Sequence, residues 1–343
     1  MIERLPFLRL ACVMLLLALA ASPRAAAAAV GLRFLPANEQ TGAVTLWYPS
    51  AAPETSREFG PFKIDAAWDA EPGRGNGRLI VLSHGSTGSP LPEHDLARAL
   101  VQAGFIVASP EHEGDNWRDD SAMGPRSWMR RPHEVAATID RLTADASVGP
   151  LFDAQRVGVY GMSAGGLTAL TVAGARWSPA RMSRHCQDHA QDDAGFCTYG
   201  ARGAWYRVAQ RYVSAWFASL ARRDTSLHGH AVARVRAAVA AVPVGAVIEP
   251  ASLAEVAIPV GLVVATEDRI LAPALHVNAV QAACPRCKTL AVLDGAGHDS
   301  VLSPWPDVLA QKARLSGPEA AAFDRGRLPD LYRTIAQFFA EHL

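Results

Sequence analysis

Lysine is scarce in this chain. Lys63, Lys288 and Lys312 stand beside thirty arginines in 343 residues. These 33 cations meet 33 carboxylates, so the formal net charge is zero, and no run of basic residues occurs. The lack of a basic patch argues against DNA, RNA and anionic membrane surfaces as partners. The preference for arginine, with abundant alanine, reads as genome composition bias. Internal repeats and low-complexity tracts are also missing after the first thirty residues, which argues against a solenoid. No apolar run reaches the roughly 20 residues that a membrane-spanning helix needs. What the chain does not lack is a core. Half of its residues are hydrophobic, with 27 glycines and 23 prolines, which is globular composition and not disorder.

The N-terminus differs in kind from the rest. Arg4 and Arg9 precede an apolar run, Leu10 to Ala21, and small residues follow from Ala25 to Ala29. This is the pattern of an export signal, residues 1–29, cleaved before Val30. The mature chain is then expected in the periplasm or outside the cell, with no stable membrane anchor and a slightly negative charge. Export bears on the cysteines, of which there are only five. Cys12 leaves with the signal. The four that remain, Cys186, Cys197, Cys284 and Cys287, predict two disulfides in an oxidising compartment. Local pairing, Cys186–Cys197 and Cys284–Cys287, is the simplest of three connectivities. Cys284-Pro-Arg-Cys287 has the spacing of a redox motif, yet no thioredoxin-like pattern surrounds it, so it reads as a loop clip. No second Cys or His pair stands beside it at zinc-ligand spacing.

Along the mature chain, apolar–polar alternation marks early strands at 43–48 and 62–68, with 49–61 loop-like between them. The early strands within 33–68 are expected to add to one sheet edge in antiparallel fashion. Continuous apolar runs, as in strands buried on both faces, follow at 79–82 and 105–108. Helices are expected at 94–103, ended by Gly104, and at 131–142. After residue 235 the alternation resumes, with strands at 237–243, 260–265 and 288–293. Helices follow at 276–283, 318–323 and 330–342. Strand–helix alternation implies an α/β fold with a mostly parallel central sheet and helices on both faces. Residues 175–235 interrupt it with Trp177, Tyr199, Trp205, Tyr206, Tyr212 and Trp216, the first cysteine pair, and a helical pattern at 204–221. They read as a helical cap inserted between two core segments, 30–174 and 236–343.

The stretch Gly161-Met-Ser163-Ala-Gly165 carries the chemistry. An apolar strand (Val157 to Tyr160) precedes it and a small, apolar helix start follows. Gly-x-Ser-x-Gly in that setting is a nucleophile elbow: a serine on a sharp strand-to-helix turn, with glycines where bulk would clash. A serine hydroxyl needs a base to remove its proton. His298, in Gly295-Ala-Gly-His298 after the last strand, is the candidate. Asp268, after the strand at 260–265, is the acid expected to orient it. Glu249 is the runner-up; Glu267 would point elsewhere, and Asp294 lies too close to its own strand and to His298. An oxyanion hole needs two backbone N–H donors. Ala164, just after the nucleophile, supplies one, and Ser86, in Ser83-His-Gly-Ser86-Thr-Gly88, the other. His84 reads as a loop brace. Glu111-His-Glu-Gly-Asp115 reads as a strand-end loop bordering the pocket rather than a metal site. His185, His189, His228 and His230 read as surface histidines. No metal and no organic cofactor is expected.

With these pieces in place the chain resembles the α/β-hydrolase superfamily. More narrowly it is similar to exported bacterial proteins described as dienelactone-hydrolase-like, related to platelet-activating-factor acetylhydrolases and polyester hydrolases. The resemblance rests on Ser83-His84-Gly85, the helix from Arg131-Pro132 to Leu142, Gly161 to Gly165, Ile258-Pro-Val260, Glu267-Asp268 and Gly297-His298. It implies an α/β-hydrolase fold and a serine hydrolase acting on a small-molecule carboxylic ester. True dienelactone hydrolases use a cysteine where this chain has Ser163, which favours ordinary ester hydrolysis. Amide or lactam hydrolysis on the same residues is the alternative within enzymes. A non-catalytic binding protein on the same fold is the alternative outside them.

Overall fold

A computed structural model describes residues 29–198, 223–304 and 323–343. Its described strands are β1 (Ala29–Leu35), β2 (Val44–Ser50), β3 (Thr55–Phe59), β4 (Phe62–Trp68) and β5 (Leu79–Ser83). They continue with β6 (Ile106–Pro110), β7 (Val157–Met162), β8 (Val235–Ala241), β9 (Val260–Ala265) and β10 (Cys287–Leu293). The helices are α1 (His94–Gln102), α2 (Pro125–Ala144), α3 (Ala164–Val172) and α4 (Pro179–Asp188). They continue with α5 (Ala194–Cys197), α6 (Pro250–Ala254), α7 (Val277–Ala283) and α8 (Leu328–His342).

The described strands form one sheet in the order β10-β9-β8-β7-β5-β6-β2-β1-β4-β3. From β10 to β6 every neighbouring pair is parallel. The chain fills this half in two directions: β6 lies on one side of β5, and β7 to β10 spread away on the other. Where strand order reverses, between β5 and β7, the connecting loops part and leave a crevice at the strands' C-terminal ends. Register brings those ends level, with Ser83 opposite Gly161 and Met162 opposite Ala241.

The strand sequences explain why both faces are covered. On β5, Leu79 and Val81 face one hydrophobic cluster while Ile80 and Leu82 face the other. On β7, Val157 and Val159 point to the first, Tyr160 and Met162 to the second. Val135, Ile139 and Leu142 of α2 and Leu167 of α3 close the first face. Leu96 and Leu100 of α1, with Ile335 and Phe339 of α8, close the second. Gly158 has no room for a side chain, since a Cβ there would lie 2.8 Å from the Phe339 ring. The mostly parallel mixed α/β architecture is thus as expected.

Several local expectations are corrected. Residues 49–61 are not a loop: Pro49 and Ser50 complete β2, and Thr55–Phe59 form β3, turned into β4 at Gly60 (φ 56°). All five β3 side chains are exposed, although Phe59 stacks on Trp68 and Arg57 lies over the same ring, so no buried face leaves a hydrophobic alternation to read. The early strands are not wholly antiparallel, because β1 runs parallel to β4 at Gly31–Ala67 and Leu32–Trp68. Helix α2 starts at Pro125 instead of Arg131 and carries Pro132 inside it. The proline in its first turn is Pro125. Residues 1–28 of the expected signal lie outside the described residues, and β1 takes in Ala29. The expected helix at 204–221, its aromatic residues with Tyr199, and all but the last residue of the expected helix at 318–323 also lie outside them.

Both disulfides form with the local pairing, Cys186–Cys197 and Cys284–Cys287. The first ties α4 to α5. The second closes the turn between α7 and β10, where both cysteines are buried, as a structural clip requires. Among the described residues, no helix is long and apolar enough to cross a membrane.

Candidate active site

Ser163 is the single residue between β7 and α3, with φ 58° and ψ −117°. A non-glycine residue there costs about 1–3 kcal/mol, and the surroundings must hold it. They do so through the main chain. The Ser163 N–H donates to Ala241 O at 3.0 Å, and its carbonyl accepts from Leu167 and Val244. The flanking glycines are demanded by space. A Cβ on Gly161 would lie 1.9 Å from Gly165 O, and one on Gly165 would lie 1.8 Å from Ser83 O. The turn is this tight because β7 lies directly beside β5 and α3 starts hard against both. Ser163 is half-buried and lines the crevice.

His298 follows β10 in a short helical turn and lines the same crevice. Its Nδ1 lies 2.6 Å from Asp268 Oδ2. Asp268 is in turn fixed by its own loop, since Oδ1 accepts N–H bonds from Ile270 (2.9 Å) and Leu271 (2.8 Å). One carboxylate oxygen is spent on the backbone, which aims the other at the imidazole. Among the alternatives, Glu267 and Asp294 are exposed, and Glu249 accepts from Ser178 Oγ at 2.8 Å. Asp268 is therefore the acid brought to His298.

The loop after β5 supplies the facing wall. A Cβ on Gly85 would sit 3.5 Å from Ser163 Cβ, so this loop passes directly beside the serine. Two of its amides are engaged: Thr87 N–H donates to Asp115 Oδ1 (2.9 Å) and Gly88 N–H to Gly85 O (3.2 Å). The Ser86 N–H has no partner among the described residues. Ala164 is the first residue of α3, where helical geometry leaves an N–H without an intrahelical acceptor. Ser86, Ser163, His298 and the ends of β5 and β7 thus converge on a pocket of about 380 Å³. Trp128, Phe196, Val244, Leu271 and Leu302 give its walls an apolar character. Gly195 and Phe196 belong to α5, so the described part of the 175–235 insertion does contribute to the pocket.

Sequence reasoning missed several polar groups here. Glu93, just before α1, lines the pocket with both carboxylate oxygens buried and without a hydrogen-bond partner among the described residues. Burial pushes its pKa up to about 8, with nearby Arg131 opposing the rise. Asp193 accepts from both His185 and His276 at 2.7 Å and from Ala272 N–H at 3.0 Å. Burial raises its pKa, and these hydrogen bonds outweigh that, so the carboxyl is held well below the usual range. His185 is accordingly not a surface histidine, as its side chain is only 8% exposed. His185, Asp193 and Cys197 lie within metal-ligand reach of one another, but Cys197 is half of a disulfide and Asp193 is occupied by two imidazoles. A charge buried this completely leaves no periodicity in the sequence, so only an unusual pairing of distant residues would have signalled it.

No protein-family model matches the chain, and no curated protein matches it either.

Proposed function

We propose that the protein is an exported serine hydrolase of the α/β-hydrolase fold, cleaving carboxylic esters through Ser163, His298 and Asp268. The observation that carries this reading is the 2.6 Å Asp268–His298 pair, with a serine held at φ 58° on the same pocket. A strained strand-to-helix serine, an oriented imidazole and two available amides are the parts that acyl transfer needs. Strand order and the reversal at β5/β7 are compatible with that fold, and the two disulfides fit an oxidising compartment.

In this mechanism Ser163 Oγ attacks the ester carbonyl carbon while His298 Nε2 takes its proton. Asp268 holds the Nδ1–H tautomer and stabilises the imidazolium. The carbonyl π electrons move to oxygen, where the Ser86 and Ala164 N–H groups receive the charge. Each such donor contributes about 10²–10³ in kcat. His298 then protonates the departing alkoxide, the alcohol leaves, and an acyl-Ser163 ester remains. Water, deprotonated by His298, repeats the attack and releases the acid. Apolar walls around about 380 Å³ support a small to medium aliphatic or aromatic group on the substrate.

Ser163→Ala is expected to fold normally and lose essentially all turnover of p-nitrophenyl esters, and a fluorophosphonate probe should label Ser163 in the wild type. Full turnover by Ser163→Ala would sink the assignment. Faster turnover of matched p-nitroanilides than of esters would redirect it to amide hydrolysis.

A further inference from the structure

Beneath the loop that carries Ser86 lies a charge pair with no part in the mechanism above. Arg131 and Asp115 are both fully buried, and Arg131 Nη2 donates to Asp115 Oδ2 at 2.8 Å. Removing such a pair from water is costly, and it is weak evidence for stability alone. Its partners show what it holds. Arg131 Nη1 donates to His84 O, and Nη2 reaches Gly85 O at 3.4 Å. Asp115 Oδ1 accepts the Thr87 N–H at 2.9 Å. Thr87 is β-branched with φ 54°, a conformation that must be imposed from outside. The pair therefore grips the loop on both sides of Ser86.

The grip bears on one peptide group in particular. Gly85 C=O and Ser86 N–H belong to the same planar trans peptide, so they point in opposite directions. Gly85 O is held by Arg131, by the Gly88 N–H (3.2 Å) and by His84 Nδ1 (2.7 Å). His84 Nε2 accepts the His112 N–H at 3.3 Å, which makes Nδ1–H the donor to Gly85 O. Burial, then the neighbouring His112 and Arg131, lower the His84 pKa well below its ordinary value, which agrees with that neutral tautomer. His112 is braced in turn, by Ser83 Oγ at 2.8 Å and Glu134 at 2.6 Å. Ser83, His112 and Glu134 repeat a serine–histidine–acid arrangement, but Ser83 and His112 are wholly buried and no substrate reaches them. Their chemistry is support.

We propose that Arg131 and Asp115 are positioning residues for the oxyanion hole. Together they fix the plane of the Gly85–Ser86 peptide with its N–H toward the reacting carbonyl, and Arg131 polarises that N–H by donating to its carbonyl. This rests on the ester-hydrolysis reading above. It assigns electrostatic work to a helix, α2, that touches no substrate through Arg131.

The test uses the full-length exported protein and a variant that removes the grip without leaving a lone buried charge. Arg131→Met combined with Asp115→Leu replaces the pair by apolar groups of similar volume, a change that buried pairs often tolerate. With p-nitrophenyl butyrate, kcat is expected to fall about 30- to 300-fold while KM stays within about threefold, because the lost contact forms in the transition state. Affinity for a trifluoromethyl ketone, whose hemiketal alkoxide occupies the same hole, should fall by the same factor as kcat/KM. A structural role alone would not produce that parallel. Should the double variant fail to fold, Asp115→Asn keeps an acceptor for Thr87 and removes the charge, and about a 3- to 10-fold loss in kcat with parallel loss of ketone affinity is expected. A folded variant that keeps wild-type kcat, or loses kcat without losing ketone affinity, would overturn the positioning role. A wild-type protein with no Ser163-dependent turnover would overturn the ester-hydrolysis reading and this inference with it.

Discussion

Replacing Glu93 by glutamine or leucine should make the protein more stable, by an amount that grows with pH. Glu93 is 2% exposed, and neither carboxylate oxygen has a partner among the described residues. With its folded pKa at about 8, against about 4.5 when exposed, the side chain keeps its proton in the native state across this range. The sign follows from proton counting. Below pH 4.5 both states are protonated, and Glu93 gives no pH dependence. Between 4.5 and 8 the unfolded state has lost the proton while the folded state retains it. Unfolding then becomes easier by about 1.4 kcal/mol per pH unit. By pH 7 the cumulative loss from this one group is about 3 kcal/mol, and above pH 8 the slope ends.

Urea unfolding followed by tryptophan fluorescence at pH 5, 6, 7 and 8 would measure this directly, with disulfides left intact. The quantity to plot is the wild-type stability minus that of Glu93→Gln, because other titrating groups cancel in the difference. The difference should be small near pH 5 and reach about 3 kcal/mol by pH 7. Glu93→Leu should show the same slope, displaced by its own packing. Parallel stability curves for wild type and Glu93→Gln across this range would refute the reasoning, since they would mean that Glu93 is ionised or paired in the folded protein.

Asp268→Asn should cost about 10³–10⁴ in kcat with little loss of stability, since the amide oxygen can still accept from Ile270 and Leu271; a thermal melt beside a rate assay checks both. Gly165→Ala should abolish activity and lower stability by several kcal/mol, because its methyl would meet Ser83 O; a melting temperature within about 2 °C of wild type would count against the packing argument. Asp193 has a depressed pKa, so its contribution is present above about pH 4 and fades as pH falls below that; Asp193→Asn should flatten the acid limb of the stability curve between about pH 4 and 2.

How far the sequence speaks for this structure depends on what kind of contact is asked about. The central strands were legible because burial on both faces writes continuous apolar runs, as in Leu79 to Leu82. Ser163 and Asp268 were legible because each follows such a run, and His298 because it follows the last strand of the parallel half, whose strand ends all lie on one edge. Strand β3 was not, since none of the side chains in its Thr-Ser-Arg-Glu-Phe sequence is buried, and what Phe59 and Arg57 pack on is the half-exposed ring of Trp68. The start of α2 was missed because two prolines, seven residues apart, each suit a first helical turn. Arg131 itself was in view, but only as a helix residue. An arginine is ordinarily a surface cation, and nothing local says that Asp115, sixteen residues earlier, will be buried against it. That pairing exists only once β6 brings its C-terminal loop beside the loop after β5, and α2 folds back beneath both. The parts of the site that would touch substrate therefore leave a local signature, because each occupies a strand end. The parts that hold them still leave almost none, because they are defined by tertiary closure. The Ser86 amide belongs to both kinds: its loop is readable from Ser83-His84-Gly85, but the donors that hold its peptide at Gly85 O include Arg131, 45 residues further along the chain, beside His84 and Gly88.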